Sequence, residues 1–178
     1  MNPLQLILGD EEFLIDRATS SIIRAVRSTM QSNPEELPIT KLRAGDVTPS
    51  EISELLSPSL FAEDRVVILA AAGEAGKEAV STIEQAVKEP APGVVLIVIH
   101  SGGGRAKNLV KILKNAGADV TECPKLTKFS EREDFVVNEF RNLGVRPSRD
   151  TVHALLDAIG GDLRELASAV SQLVADTG

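Results

Sequence analysis

"DRVVILAAAGEAGKEAVSTIEQAVKEPAPGVVLIVI", residues 64–99, decides the architecture. It opens and closes on continuous runs of Val, Ile and Leu. A strand with water on one face alternates apolar and polar residues. A run that is apolar at every position suits a strand covered on both faces, as in parallel sheets. Between the runs, "AGKEAVSTIEQAVKE" (75–89) repeats its apolar residues at three- and four-residue steps, the period of an amphipathic helix. Strand, helix and strand in that order make one repeat of a parallel α/β sheet.

The alternation continues in both directions. "LQLIL" (4–8), "LPITKL" (37–42) and "ADVTEC" (118–123) join 64–69 and 93–99 to give five strand-like segments. Ile15, Ala18, Ile22 and Val26 form one apolar helical stripe. "TPSEISELLS" (48–57) and "RAKNLVKILKNAG" (105–117) add two more helices, the latter closed by Gly117 at a C-cap position. Five βα alternations predict an open, three-layer α/β domain with a mostly parallel sheet.

After "CPKLTKFS" (123–130) the pattern is helical only. Ser130 and Glu133 have capping-box spacing ahead of Val136, Phe140 and Leu143, and Gly144 closes that helix. Ser148 after Pro147 caps a second, with Val152, Leu155, Leu156 and Ile159 apolar before Gly160-Gly161. Asp162 and Glu165 open a third, bearing Leu163, Leu166, Val170 and Leu173. The expected division is 1–126 for the α/β domain and 127–178 for a three-helix satellite. The chain stops at Gly178 directly after that helix, which reads as a fragment.

Composition narrows the function classes. The apolar runs are too short to cross a bilayer, and "MNPLQLILGD" lacks the charged start and cleavage site of an export signal, so a soluble protein is expected. A single cysteine, Cys123, excludes an internal disulfide and fits a reducing cytoplasm. A net charge of −7 argues against a stand-alone nucleic-acid binder. The charge is uneven: residues 1–64 carry eleven acidic and five basic side chains, whereas residues 105–128 carry six basic and two acidic. The basic ones are Arg105, Lys107, Lys111, Lys114, Lys125 and Lys128. A solvated helix face is the plainer reading, and a contact to DNA or an acidic partner is the other.

Phosphate chemistry is missing where an α/β sheet would place it. The first βα turn, "LILGDEEFLID", keeps Gly9 but puts Asp10, Glu11 and Glu12 where a triphosphate would sit. With Asp10 as N-cap, these carboxylates complement the helix dipole themselves and repel a nucleotide. In "AAAGEAGKEAV", Ala71 and Glu78 stand where a P-loop needs Gly and a hydroxyl, so Gly76-Lys77 is coincidence. "SGGGRAK" (101–107) departs from G-x-G-x-x-G and reads as a flexible turn. His100 and His153 lack companion ligands and are expected at the surface or core edge. Cys123 reads as a small apolar strand residue rather than a nucleophile.

One stretch resists the bland account. In "SPSLFAEDRVVIL" (57–69), Leu60 and Phe61 sit between a helix end and a strand, in a chain with no Trp, no Tyr and five Phe. Such a pair either tucks beneath the sheet or awaits a partner, and position alone favours the core.

With those residues placed, the chain resembles the delta subunit of the bacterial DNA polymerase III clamp loader. The resemblance runs along essentially the whole sequence. It rests on "LILGDEEFLIDRA" (6–18), "LSPSLFAEDRVVIL" (56–69), "RAKNLVKILKNAGADV" (105–120) and "AIGGDLRELASAVSQL" (158–173) in that order and spacing. It implies a RecA/AAA+-like domain without a functional P-loop, a three-helix lid, and a C-terminal collar not present in this chain. It implies no cofactor, no metal and no catalysis by the subunit itself, within a holoenzyme that is a DNA-directed DNA polymerase, a nucleotidyltransferase. The implied partners are the sliding clamp (beta subunit), the gamma/tau and delta-prime subunits, and primed DNA through the complex, with this fragment monomeric and no membrane. Ser59, Leu60 and Phe61 match the family's clamp-binding wedge, which opens the ring while ATPase partners control its exposure. Arg164 in "GGDLREL" matches a phosphate-sensing position of AAA+ proteins, but with no cradle opposite, Asp162 as N-cap and Arg164 as a surface residue is the preferred reading. Two alternatives remain: a cryptic AAA+ ATPase, which lacks a cradle, and a receiver-like signalling domain, which lacks an acceptor Asp at Ala70-Ala71-Ala72.

Overall fold

In the computed structural model, which describes residues 1–30, 33–61 and 63–177, five strands form one sheet. The strands are β1 (Leu4–Gly9), β2 (Ile39–Arg43), β3 (Arg65–Ala70), β4 (Val94–His100) and β5 (Asp119–Cys123). Their order is β2-β3-β4-β1-β5 and every pairing is parallel. Leu4 lies opposite Leu96, Leu8 opposite His100, and Gly9 opposite Cys123. A receiver-type sheet runs 2-1-3-4-5. Here β1 is inserted between β4 and β5 instead, which removes that alternative.

The continuous apolar runs have the expected two-sided burial. Leu4, Leu6, Val67, Leu69, Leu96 and Val98 face one layer, which holds α2 (Pro49–Leu56), α3 (Lys77–Lys88) and α4 (Leu109–Asn115). Ile7, Val66, Ile68 and Ile97 face the other, covered by α1 (Glu12–Thr29) through Leu14, Ile15, Ala18, Ile22 and Val26. Successive residues of β3 therefore point into different layers. The edge strands are less apolar, as one-sided exposure requires: β5 is exposed from Asp119 through Glu122 and buried only at Cys123.

Several boundaries differ from the sequence expectation. α4 begins at Leu109, not Arg105, because residues 105–108 form turns that carry the chain away from the glycine-rich segment. α1 takes Glu11, not Asp10, as its N-cap residue. The third strand is followed by a short 3-10 turn, Ala72–Glu74, before α3.

The chain divides into two units, Met1–Pro124 and Lys125–Gly178. Gly178, the expected end of the helical satellite, lies outside the described residues. The second unit consists of α5 (Phe129–Asn142), α6 (Arg149–Ile159) and α7 (Leu163–Thr177). Phe135, Val136, Phe140, Val152, Leu156, Leu163, Leu166 and Val170 are buried within it. α5 starts at Phe129, and Glu131 rather than Glu133 closes its first turn, with Oε2 accepting from the backbone N–H of Thr127 and Lys128. Ser148 Oγ accepts from Thr151 N at 3.2 Å and Asp162 Oδ1 from Glu165 N at 3.0 Å, so both are caps.

Candidate functional site

The Leu60–Phe61 segment is built from α2 outward. Thr48 Oγ1 accepts from Glu51 N at 3.2 Å, and Glu51 Oε2 accepts from Thr48 N at 2.7 Å. This reciprocal box, with Pro49 at the first helical position, fixes where the helix begins. The Thr48 backbone bond, and then its hydroxyl, hold the Glu51 carboxyl below its ordinary range. α2 ends at Leu56 because Pro58 drives Ser57 into an extended conformation. Ser59 Oγ then accepts from Phe61 N at 3.3 Å, bending the chain at the tip.

At that tip Leu60 is 97 % exposed and Phe61 81 %. The pair does not tuck beneath the sheet. The base of the loop is tied down on both limbs. The Arg65 guanidinium donates to the Ser57 carbonyl, and Arg65 N donates to Gly93 O at 2.8 Å. Gly93 adopts φ +78°, and a Cβ there would sit 3.2 Å from both Glu63 O and Asp64 Oδ1. A side chain at Gly93 would crowd the descending limb, which would have to give by a few tenths of an ångström.

At the carboxyl end of β1, where an α/β sheet would take a phosphate, the turn into α1 is packed against the end of β5 by backbone contacts. Only Asp10 and Glu11 separate β1 from α1, against the eight-residue phosphate loop of a P-loop protein. Gly9 lies so close to β5 that an added Cβ would be 2.0 Å from Cys123 O. Glu11 N, one of the amides a phosphate would need, donates to Cys123 O at 3.0 Å. Calorimetric titration of the chain with ATP and magnesium is therefore expected to give no heat of binding, and a saturable isotherm would contradict this geometry. Among the described residues no His, Cys, Asp and Glu cluster could hold a metal ion.

His100 ends β4 opposite Leu8 of β1, and the expectation of a surface or core-edge residue is corrected here. It is fully buried. Nδ1 accepts from Gly102 N at 2.8 Å and Nε2 lies 3.0 Å from Ala106 O, so the network assigns the ring proton to Nε2. The glycine-rich stretch is correspondingly a pinned turn rather than a flexible one. Gly104 packs on the Gly73 backbone, where a Cβ would lie 2.4 Å from Gly73 O, and Ala106 N donates to that same oxygen at 2.9 Å. Replacing His100 by Ala leaves an interior N–H and C=O unpaired beside a new cavity. It is expected to cost about 3 kcal/mol, read from the urea unfolding midpoint. An unchanged midpoint would show that the ring is dispensable.

The basic residues divide. Arg105 stands in the turn before α4 and donates through Nε to Glu74 O at 2.6 Å. Lys107, Lys111 and Lys114 are exposed, at four- and three-residue spacing on one side of the turn and helix. Lys125 and Lys128 belong to the other unit, so the basic run of the sequence is not one surface of one unit. Cys123 is buried, and burial pushes its thiol up, the direction that opposes nucleophilic use.

The sequence model of the family described as "DNA polymerase III, delta subunit" matches residues 6–124. The chain belongs to that family. No curated protein matches it. Among solved structures, the DNA clamp loader delta protein YqeN of Bacillus subtilis superposes with a TM-score of 0.78 at 22 % identity, covering all of this chain and 54 % of that one. The RuvB Holliday junction branch migration motor of Thermotoga maritima superposes with a TM-score of 0.53 at 11 % identity, over 94 % of this chain and 53 % of that one. These likenesses establish the AAA+-type fold. The chain spans about half the length of the structures it matches.

Within this delta-subunit fold, the helical unit adds a second histidine cluster. His153 Nε2 lies 2.7 Å from Glu133 Oε1, with Arg149 Nε 3.8 Å from the same oxygen and the Phe129 ring edge-on at 5.3 Å. Glu133 is therefore an inter-helix tie between α5 and α6, not half of a capping box. Arg164 is exposed on the first turn of α7. Sequence reasoning missed Arg65 and the structural part of His100. Arg65 carried no signal, since its partner is a backbone carbonyl eight residues away. His100 carried one: a polar residue ending the most apolar strand, two residues before glycines.

Proposed function

We propose that this chain is the clamp-engaging part of a clamp-loader delta subunit acting in DNA replication, and that Ser59, Leu60 and Phe61 form its wedge for the ring-shaped sliding clamp. One observation carries the reading: a Leu and a Phe stand in water at the tip of a loop whose base is tied down. Burying such side chains in a partner's pocket stabilises a contact by roughly 1.5–3 kcal/mol each, and an aromatic anchor is the usual form of an interface hot spot. The AAA+-type fold and the family membership support the same assignment.

The mechanism is mechanical. The wedge docks at or near a ring interface and holds the clamp open, while the ATPase gamma/tau subunits and the delta-prime subunit control when it is exposed. The chain contributes no catalysis and no nucleotide site, and works in the cytoplasm. No helix among the described residues is long and apolar enough to cross a membrane. The exposed Arg105, Lys107, Lys111 and Lys114 offer a positive surface to DNA phosphates or an acidic partner subunit. The test is surface plasmon resonance of the chain over its cognate immobilised clamp. Saturable binding is expected, and a flat response at high micromolar concentration overturns the reading.

A further inference from the structure

Among the described residues, one side chain bridges the two feet of the loop bearing Leu60 and Phe61. Ser57, where α2 ends, and Arg65, where β3 begins, stand at its two feet, and Arg65 Nη2 donates to the Ser57 carbonyl. The Arg65 backbone is held separately by Gly93, so the guanidinium is not needed to keep β3 in the sheet. Arg65 Nε is buried with no hydrogen-bond partner among the described residues. A buried N–H without a partner weakens a fold. A Met at this position would bury the same stem without that penalty. What the guanidinium does, and Met could not do, is tie the ascending limb of the loop to the descending one.

We propose that Arg65 is the positioning residue that presents the Leu60–Phe61 wedge, an inference that rests on the docking role given above. Arg65 does not meet the clamp; it acts through the loop. With the tie made, the chain between Ser57 and Arg65 leaves and re-enters the domain at one fixed separation, and the tip is held outward. Without it, the docking-competent arrangement is only a fraction of the loop ensemble, and apparent affinity falls by that fraction. The loss falls on the association rate, because the contacts of the docked state are unchanged.

Arg65→Met, Arg65→Lys and the double variant Leu60→Ala/Phe61→Ala test this together, over the cognate sliding clamp. Arg65→Met is expected to bind about tenfold more weakly, mainly through slower association, with an unchanged or raised melting temperature. The backbone amides of residues 59–61 should exchange faster than in the parent. Arg65→Lys, which keeps one donor, should recover part of the affinity. A purely structural role would instead lower the melting temperature and leave the association rate of the folded fraction alone. If the double variant fails to bind while Arg65→Met binds like the parent with equally protected amides, Arg65 has no positioning role and the docking reading survives. If the double variant itself binds like the parent, the docking reading falls and this proposal with it.

Discussion

Replacing Leu60 and Phe61 together by alanine is expected to weaken clamp binding at least a hundredfold while leaving the fold intact. The two side chains are 97 % and 81 % exposed, so truncating them removes almost no intramolecular contact. Circular dichroism and melting temperature should match the parent. Docked in an apolar pocket, they would contribute roughly 3 kcal/mol or more together, and each 1.4 kcal/mol is tenfold in affinity. Phe61→Ala alone should account for the larger share, since the ring buries more area. The loss should also persist when salt is raised, because apolar burial is not screened, whereas a contact made by Lys107, Lys111 and Lys114 would weaken with salt. An affinity for the cognate clamp that the double substitution does not change would remove the central assignment.

Gly9→Ala is expected to have the largest effect on stability. Gly9 has φ +146°, and a Cβ there would lie 2.0 Å from Cys123 O, 2.2 Å from Cys123 C and 2.8 Å from Pro124 N. All three are backbone atoms, so no rotamer change relieves the clash. β5 would have to move away from β1, breaking the 3.0 Å bond from Glu11 N to Cys123 O. A cost of about 3 kcal/mol or more follows, a fall of roughly 6–12 °C in the melting temperature of the α/β unit. Gly117→Ala is the control: its φ is +86°, but a Cβ there meets nothing within 4 Å, so only conformational strain is added. Equal melting of Gly9→Ala and the parent would mean that the turn is not closed in the way described. The same closure sets the end of β5 against the β1–α1 turn, with the Glu11 amide bonded to Cys123 O.

The layered architecture was readable because it depends on period. Residues 66–69 and 94–98 are apolar at consecutive positions, and only a strand covered on both faces buries them, all fully here except the half-buried Val95. The stripe Ile15, Ala18, Ile22, Val26 likewise named the face of α1 that meets the sheet. The caps at Ser148 and Asp162 were legible for a similar reason, since a cap is a contact over three residues. Ser130 misled because Glu131, one residue further on, reaches back to two amides and starts the helix earlier.

From the amino-acid order alone came the βα alternation, the helical satellite, the mismatch to a P-loop pattern and the Ser59-Leu60-Phe61 segment. All of these are patterns over a few neighbouring residues. Tertiary structure alone decided the rest: that β1 lies between β4 and β5, that Leu60 and Phe61 face water, that His100 stitches a glycine turn, and that Arg65 ties the loop. Each of these joins groups far apart in the chain or bonded through backbone atoms, whose positions carry no side-chain signature. An apolar pair looks the same in sequence whether its loop folds inward or stands out, because the bonds at the loop's base are accepted by carbonyls that every residue possesses.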